Sequence, residues 1–181
     1  GGGYRRAYAE PAHDGKFIAG DQWWELNEFQ PTPQMFGALA DGVTDDTAAI
    51  QAAVNYAVVT GSKEVIFPAG TYSVTSVDVR HGLTLRGAGG AVLKRPDNMS
   101  KWTRTFTTQN DLWKSTVDSP LLRFENLHFD GNRANQGAYT NYEKEQAHFI
   151  FLMADAAFPG RLRVIIDGCV FDEGVADAMS V

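Results

Sequence analysis

The residues best suited to acid–base or metal chemistry form a short acidic cluster in the segment DGVTDD, residues 41–46. Asp41, Asp45 and Asp46 stand directly before an alanine-rich apolar run. Paired carboxyl groups can exchange protons with a substrate or hold a cation. The segment lacks the alternating ligand spacing and the distal glutamate of a calcium loop, and the motifs HExxH, CxxC and GxSxG are absent from the sequence. We therefore expect neither a metal nor a cofactor.

The residues after the cluster favour a structural role for it. An apolar stripe of helical period runs along residues 49–57, and Gly61 supplies a stop. Thr44 or Asp45 can act as the N-cap of this helix, and an aspartate beside it lies near the positive end of the helix dipole. We predict that the helix start is stabilised by four residues, namely Asp41, Thr44, Asp45 and Asp46.

Strand-like stretches follow, and two of them repeat one pattern. The apolar residues of LLRFENLHFD recur at the same offsets 42 residues later in RVIIDGCVFD, each set with a two-residue polar break and a final aspartate. The break can be the turn of an antiparallel hairpin or a corner between two faces of a solenoid. Glu-Asn is a weak hairpin turn, so we favour the solenoid. With the strand-like FIFLMA in between, the spacing predicts two coils of about 21 residues.

Four segments in a fixed order resemble a known superfamily. FGALADGVTDDTAAIQAAV, EVIFPAGTYSV, LTLRGAGGAVLKR and LRFENLHFDGNRANQG are similar in order and spacing to the pectate-lyase-like proteins. These include phage tailspikes, polysaccharide lyases, polygalacturonase-like hydrolases and alginate epimerases. The resemblance implies a mainly β fold, a right-handed parallel β-helix with an N-terminal capping α-helix.

The first residues have a different composition. Residues 1–34 are expected to form a small β leader module with a proline linker, QPTPQ, and residues 35–181 the capping helix and first coils, truncated at the C-terminus. The leader resembles the segment before the β-helix in phage tailspike and tail-fibre proteins, which implies a virion or extracellular location and a homotrimer. Trp23 and Trp24 point to opposite faces of a strand, so at most one is core. We predict that the other contacts a partner subunit; stacking on a sugar is the alternative.

Polar residues near the strand ends are the candidates for carbohydrate contacts. Stacked coils would align these residues on one outer face. Trp102 and Trp113 lie in a polar insertion, where they could form a platform for a sugar or cover the side of the solenoid. The remaining candidates are Asp130, Asn132, Arg133, Asp172 and Asp177. For DGNR at 130–133 we favour a turn between coils. We expect His128 to be a solvated outward residue and Cys169 to be a core residue.

The catalytic motifs of the superfamily are missing here. The hydrolases' DD and GHG elements have no counterpart on the late strands, and the epimerases' DPH element is absent. The catalytic residues are therefore unknown and are expected beyond Val181, so that this segment alone should be inactive.

Charge and hydropathy restrict the partners. A formal net charge of −6 with scattered lysine and arginine offers no basic face to nucleic acid, and the best apolar run, 149–154, is too short to span a bilayer. We expect this chain to be the N-terminal part of a tailspike-type protein that binds and depolymerises a bacterial polysaccharide. Its expected protein partners are further copies of itself in a homotrimer and other phage tail proteins. The alternatives are an extracellular lyase, hydrolase or uronan epimerase, and a non-enzymatic tail adaptor.

Overall fold

A computed structural model describes residues 3–80, 82–100, 102–108, 121–138, 140, 147–152, 163–174 and 179–180. These residues form one small antiparallel sheet, three parallel sheets and one α-helix. None of the helices in these ranges is long and apolar enough to cross a membrane.

The small sheet is built from the first 26 residues. Its strands β1 (Tyr4–Ala7), β2 (Lys16–Ala19) and β3 (Gln22–Leu26) are antiparallel in the order β1-β3-β2. β2 and β3 form a hairpin across Gly20 and Asp21, with Gly20 at φ 63°. Gly-Asp between two strand-like runs is a dipeptide that favours such a tight turn.

The rest of the chain visits three parallel sheets in turn. Sheet 1 contains β5 (Glu64–Phe67), β8 (Thr84–Gly87), β11 (Leu122–Glu125) and β14 (Val164–Asp167). Sheet 2 contains β4 (Asp41–Asp45), β6 (Gly70–Ser73), β9 (Ala91–Lys94), β12 (His128–Asp130) and β15 (Val170–Asp172). Sheet 3 contains β7 (Val77–Asp78), β10 (Phe106–Thr107), β13 (Ile150–Phe151) and β16 (Met179–Ser180). One strand from each sheet makes one coil of a parallel β-helix.

The strand register corrects the predicted coil length. Leu122 pairs with Val164 and Phe129 with Phe171, both in parallel, so residues 42 apart lie in adjacent coils. The parallel solenoid is confirmed against the hairpin, but the prediction of two coils of about 21 residues is wrong. FIFLMA contributes β13, which is the third face of the same coil. The first coil is shorter, since Glu64 pairs with Thr84.

The corner between sheets 1 and 2 depends on backbone in the left-handed region. Asn126 has φ 53° and Gly168, its equivalent one coil later, has φ 60°. The amide of Asn126 donates to the carbonyl of Asp167 at 2.9 Å, which ties the two corners together. Asn and Gly tolerate this conformation better than other residues. The two polar breaks of the repeat are thus one corner repeated, as the solenoid interpretation predicts.

Aromatic side chains fill the interior. The rings of Phe129 and Phe171 stack with centroids 4.5 Å apart, and Phe106, Phe124 and Phe149 surround Phe129 at 5.7–6.2 Å. The equivalent residues of the last described coil are only half-buried and pack against this core. Cys169 is one of them, and burial raises the pKa of its thiol, which favours the neutral, unreactive form.

The helix closes one side of this core. α1 (Thr47–Thr60) begins after β4 and ends at Gly61, which has φ 74°. Its predicted stripe is buried in the same hydrophobic cluster as the strands, and it contacts β5, β7 and a 3-10 helix at Pro33–Phe36. Its Tyr56 contacts the small antiparallel sheet, because its hydroxyl donates to the carbonyl of Leu26 in β3 at 2.8 Å.

A close backbone contact between coils gives a test of the stacking. Gly131 donates its amide to the carbonyl of Asp172 at 3.0 Å, and a Cβ at Gly131 would clash with the carbonyl oxygen of Glu173. We expect Gly131→Ala to lower the free energy of unfolding by about 1–3 kcal/mol, because backbone must move to admit the methyl group. Thermal unfolding followed by circular dichroism measures this.

Gly137→Ala is the matched control, since a Cβ there meets nothing within 4 Å. It should shift stability by no more than about 0.5 kcal/mol. Equal melting temperatures for the two variants would contradict the close stacking of these turns.

Candidate functional site

The register of sheet 2 aligns three charged side chains on its outer face. Lys94 pairs with Asp130, and Asp130 with Asp172, so the three occupy equivalent positions in successive coils. Adjacent positions are about 4.8 Å apart across parallel strands. The neighbouring residues Leu93 and Phe129 point into the core, which fixes these side chains outward. We call Lys94, Asp130 and Asp172 the polar row.

His128 joins the polar row across a coil boundary. It faces outward, as predicted, but its Nε2 lies 2.9 Å from Oδ1 of Asp172. Sequence reasoning treated His128 as merely solvated. The signal was present in the 42-residue repeat, because His128 aligns with Val170 and Asp172 follows two residues later on the same face. Nε2 of His128 is itself buried and makes no hydrogen bond among the described residues, so the imidazole lies against the carboxylate, and the exposed Asp172 carboxylate is the acceptor that a hydroxyl group can reach.

The DGNR segment forms a turn, but the turn lies between β12 of sheet 2 and β13 of sheet 3 within one coil, not between coils as predicted. Asn132 has φ 51° and is only 7% exposed, and its amide donates to Oδ1 of Asp130 at 2.7 Å. Its Nδ2 donates to the carbonyl of Arg95 and to Asp97, and its Oδ1 accepts from Nδ2 of Asn135. Both polar atoms of the Asn132 side chain are thus used inside the protein, which fits the turn interpretation.

The other predicted carbohydrate contacts are spread more widely. Arg133 opens a 3-10 helix, Arg133–Asn135, directly after this turn and is exposed. Trp102 is 52% exposed on the segment between β9 and β10. Trp113 and Asp177 lie outside the described residues. The structure therefore brings Asp130 and Asp172 together, adds Lys94 and His128 to them, and leaves Arg133 at the border.

The acidic cluster lies at the helix start, but its aspartates have different roles from those predicted. The N-cap is Asp46, not Thr44 or Asp45 as the sequence suggested, because β4 continues through Asp45. Asp46 is 2% exposed, and its carboxylate accepts from the amides of Leu39 at 2.7 Å and Ala40 at 3.2 Å. It binds the preceding chain rather than the helix amides. Asp45 takes part of the expected role, since its Oδ1 accepts from the amide of Thr47 at 2.9 Å.

Asp41 organises the turn that the sequence indicated. Its carboxylate accepts from the amides of Thr44 and Val43 and from the hydroxyl of Thr44, at 2.7–2.9 Å. These hydrogen bonds, the Thr44 amide first, lower the pKa of Asp41. The pKa of Asp41 is lower in the folded state than in the unfolded state. The ionised carboxylate therefore stabilises the turn at pH values above its ordinary pKa, and this stabilisation is lost as the pH falls through the folded-state pKa. An NMR titration of Asp41 measures this shift.

A metal centre finds no support in the parts of the chain that the structure describes. No group of three or more His, Cys, Asp or Glu side chains in them is placed to hold an ion. The carboxylates of the acidic cluster accept hydrogen bonds from backbone amides, and those of the polar row lie on an open sheet face.

Comparisons with known proteins agree on the fold. The family profile described as Rhamnogalacturonase A/epimerase, pectate lyase-like, matches residues 34–153. Mannuronan C5-epimerase AlgE4 of Azotobacter vinelandii is 44% identical over 110 residues, which are 55% of this chain and 19% of that protein. The solved AlgE4 A-module has a TM-score of 0.60 at 27% identity and covers 80% of this chain and 39% of that module.

A phage protein is also similar. The capsule KN3-specific depolymerase 1 of Klebsiella phage KN3-1 is 35% identical over 103 residues, 51% of this chain and 13% of that protein. The chain therefore spans less than a fifth of the length of these two curated relatives.

The structural role of the acidic cluster can be measured directly. We expect Asp46→Ala to lower the free energy of unfolding by about 1–3 kcal/mol, because the part-buried hydrogen bonds from the amides of Leu39 and Ala40 to this carboxylate are lost. Asp45→Ala should cost about 1 kcal/mol, the usual value of a lost capping bond. Chemical denaturation of the two single variants measures both, with the exposed Asp21→Ala as control. If Asp46→Ala left stability unchanged, its assignment to the fold would be wrong.

Proposed function

Because this chain belongs to the Rhamnogalacturonase A/epimerase family of pectate lyase-like proteins, we propose that it is the N-terminal part of a tailspike-type β-helix protein. The whole protein would bind and depolymerise a bacterial surface polysaccharide during host recognition. Two kinds of relative support this proposal, a capsule-specific depolymerase of a phage and a mannuronan C5-epimerase. A virion or extracellular location follows from the same proposal.

The observation that carries the proposal is the polar row with His128. A polysaccharide presents hydroxyl groups that donate and accept, and this face offers a cationic donor, two carboxylate acceptors and an imidazole. Each coil adds one polar side chain to the row, so a polymer lying along the solenoid axis meets successive groups at about 4.8 Å intervals. Arg133 would extend the contact at its border.

We place the catalytic residues of the whole protein beyond Val181. The DD, GHG and DPH elements of the related enzymes are absent from the late strands of this sequence. The face formed by Lys94, Asp130 and Asp172 is proposed as a binding surface, and the 181-residue segment alone should show little or no depolymerisation.

A second enzymatic function is favoured by the similarity to the AlgE4 A-module, which covers 80% of this chain. In that case the whole protein would be an epimerase, lyase or hydrolase acting as a monomer. An epimerase inverts the configuration at one carbon of a sugar unit without shortening the polymer, whereas a depolymerase shortens the polymer. Polymer length and proton NMR of the treated polysaccharide separate the two, and intact, unmodified polymer would favour a structural tail adaptor.

The proposal also assigns roles to the leader and the helix. Residues 1–34 would form a module that joins the β-helix to other tail proteins, and α1 would cap the solenoid of residues 35–181. Trp24 stacks on Phe17 at 6.4 Å, and Phe17 contacts Tyr4 edge-on, which makes a half-exposed aromatic face. We propose this face, with Trp23 behind it, as the subunit contact of a homotrimer. Sedimentation of the whole protein tests this, and a monomer would exclude it.

Asp172 provides the sharpest test of the binding face. We expect Asp172→Asn to weaken binding of the whole protein to the polysaccharide it recognises by about tenfold, because a charged acceptor paired with His128 is lost. Capsule and lipopolysaccharide preparations from a bacterial panel identify that polysaccharide, and biolayer interferometry measures the affinity.

Asp167→Asn is the matched control, since Asp167 is an exposed carboxylate in the same coil but on sheet 1. It should bind as the unsubstituted protein does. Equal effects of the two substitutions, or none from Asp172→Asn, would show that the polymer does not lie on sheet 2.

A further inference from the structure

A pocket of about 130 Å³ lies beside the small antiparallel sheet, next to the C-terminal end of α1. Its wall includes Arg5 from β1, Glu25 from β3, and Glu28 and Phe29 from the segment that follows β3. The pocket is separate from the polar row, which lies on strands β9, β12 and β15 of sheet 2. The proposed binding of a polysaccharide on sheet 2 therefore makes no use of this pocket.

The charged side chains of the wall leave one carboxylate without a counterion. Nε of Arg5 donates to Oε1 of Glu25 at 2.7 Å, so these two charges compensate each other. Nε2 of His13 also faces Glu25, at 3.4 Å from Oε2. The Glu28 carboxylate has no cationic partner among the described residues. The local negative charge at Glu28 favours a positively charged ligand.

The backbone fixes the Glu28 carboxylate and leaves one of its oxygens available. Oε1 accepts from the amides of Phe29 at 3.0 Å and Gln30 at 3.3 Å. Oε2 accepts no hydrogen bond from the described residues, and it is not one of their buried atoms, since the Glu28 side chain is only half-buried. A carboxylate that is already ordered loses little conformational entropy when it binds, and it forms strong hydrogen bonds with charged donors.

Phe29 adds an aromatic surface to the same pocket. It is 84% exposed, although it lines the pocket. The face of an aromatic ring attracts a cation, and a planar guanidinium group also stacks on such a ring. A carboxylate oxygen and an aromatic ring in one pocket therefore match both the N–H groups and the charge of an organic cation.

Size and ligand number narrow the class of cation. The volume is below the about 300–1,000 Å³ of pockets for drug-sized ligands, which restricts the occupant to a small head group. Calcium takes about six to eight oxygen ligands, and no group of three or more acidic or imidazole side chains among the described residues is placed to hold an ion. We infer that this pocket binds an alkylguanidinium or alkylammonium group, which donates to Oε2 of Glu28 and places its charge against the ring of Phe29.

The same chemistry could come from a free organic cation or from an arginine or lysine side chain of another protein. Methylguanidinium and butylammonium represent the free cation, and the N-acetyl methylamides of arginine and lysine represent the side chain in a polypeptide. The N-acetyl methylamide of citrulline has nearly the shape of the arginine probe but carries no charge. Binding of the arginine or lysine probe identifies a protein side chain as an acceptable source, and binding of the small cations alone identifies a free cation.

The experiment is a titration of the ¹⁵N-labelled 181-residue chain with these probes at low ionic strength, because salt screens an exposed charge. We expect millimolar binding of at least one cationic probe, with shifts of the Phe29 and Gln30 amides, which donate to the Glu28 carboxylate. The citrulline probe should bind about tenfold more weakly than the arginine probe, or not at all.

Two substitutions separate the charge from the ring. Glu28→Gln keeps the shape of the side chain and removes its charge, and we expect it to reduce the affinity for the cationic probes about tenfold. Phe29→Leu keeps an apolar side chain and removes the ring, and we expect a reduction of about threefold. The amide spectrum of each variant verifies that it is folded. The outcome does not depend on depolymerisation, so this inference and the proposed function can fail separately.

Matched controls lie in the same sheet but outside the pocket. Asp21→Asn removes an exposed carboxylate and Tyr8→Leu an aromatic ring that is 97% exposed, and both should bind as the unsubstituted chain. Absence of shifts for all four cationic probes up to about 50 mM would overturn the inference. Equal affinities of the arginine and citrulline probes, or equal losses in Glu28→Gln and Asp21→Asn, would overturn it as well.

Discussion

In-register hydrogen bonding between parallel strands of adjacent coils is the constraint on which the other features depend. The pairing of Leu122 with Val164 and of Phe129 with Phe171 stacks apolar side chains inside and polar ones outside. A slip by one residue would turn the inner column outward and bring charge into the core. The register is held where the chain turns, at Asn126 with Gly168 and at Gly131 beside Glu173, because those positions admit only small or left-handed residues.

The same register connects fold to function. It sets Lys94, Asp130 and Asp172 one strand apart and brings His128 to Asp172, although each coil contributes only one or two of these groups. An extended binding face for a polymer is the natural product of such repetition, since every coil adds a position of the same geometry.

Much of this fold was predictable because repetition leaves a local signal. The alternating apolar residues, the corner and the stripe of α1 are properties of neighbouring residues. The coil length was mispredicted because the spacing of 42 residues gives no count of the strands within it, and β13 was assigned to a coil of its own. The hydrogen-bond partners of Asp46 could not be predicted, because Leu39 and Ala40 precede it in a segment without periodicity.

The coil register can be measured directly with a disulfide between adjacent coils. Arg123 and Ile165 pair in register on the outer face of sheet 1, and parallel neighbours about 4.8 Å apart fall within the Cα separation that a disulfide accepts. In a Cys169→Ser background, Arg123→Cys with Ile165→Cys should form an intramolecular disulfide on mild oxidation, detected by mass spectrometry of the unreduced digest. Two coils of about 21 residues would separate the pair by two strand spacings. Failure of this pair to cross-link in the folded protein would contradict the account.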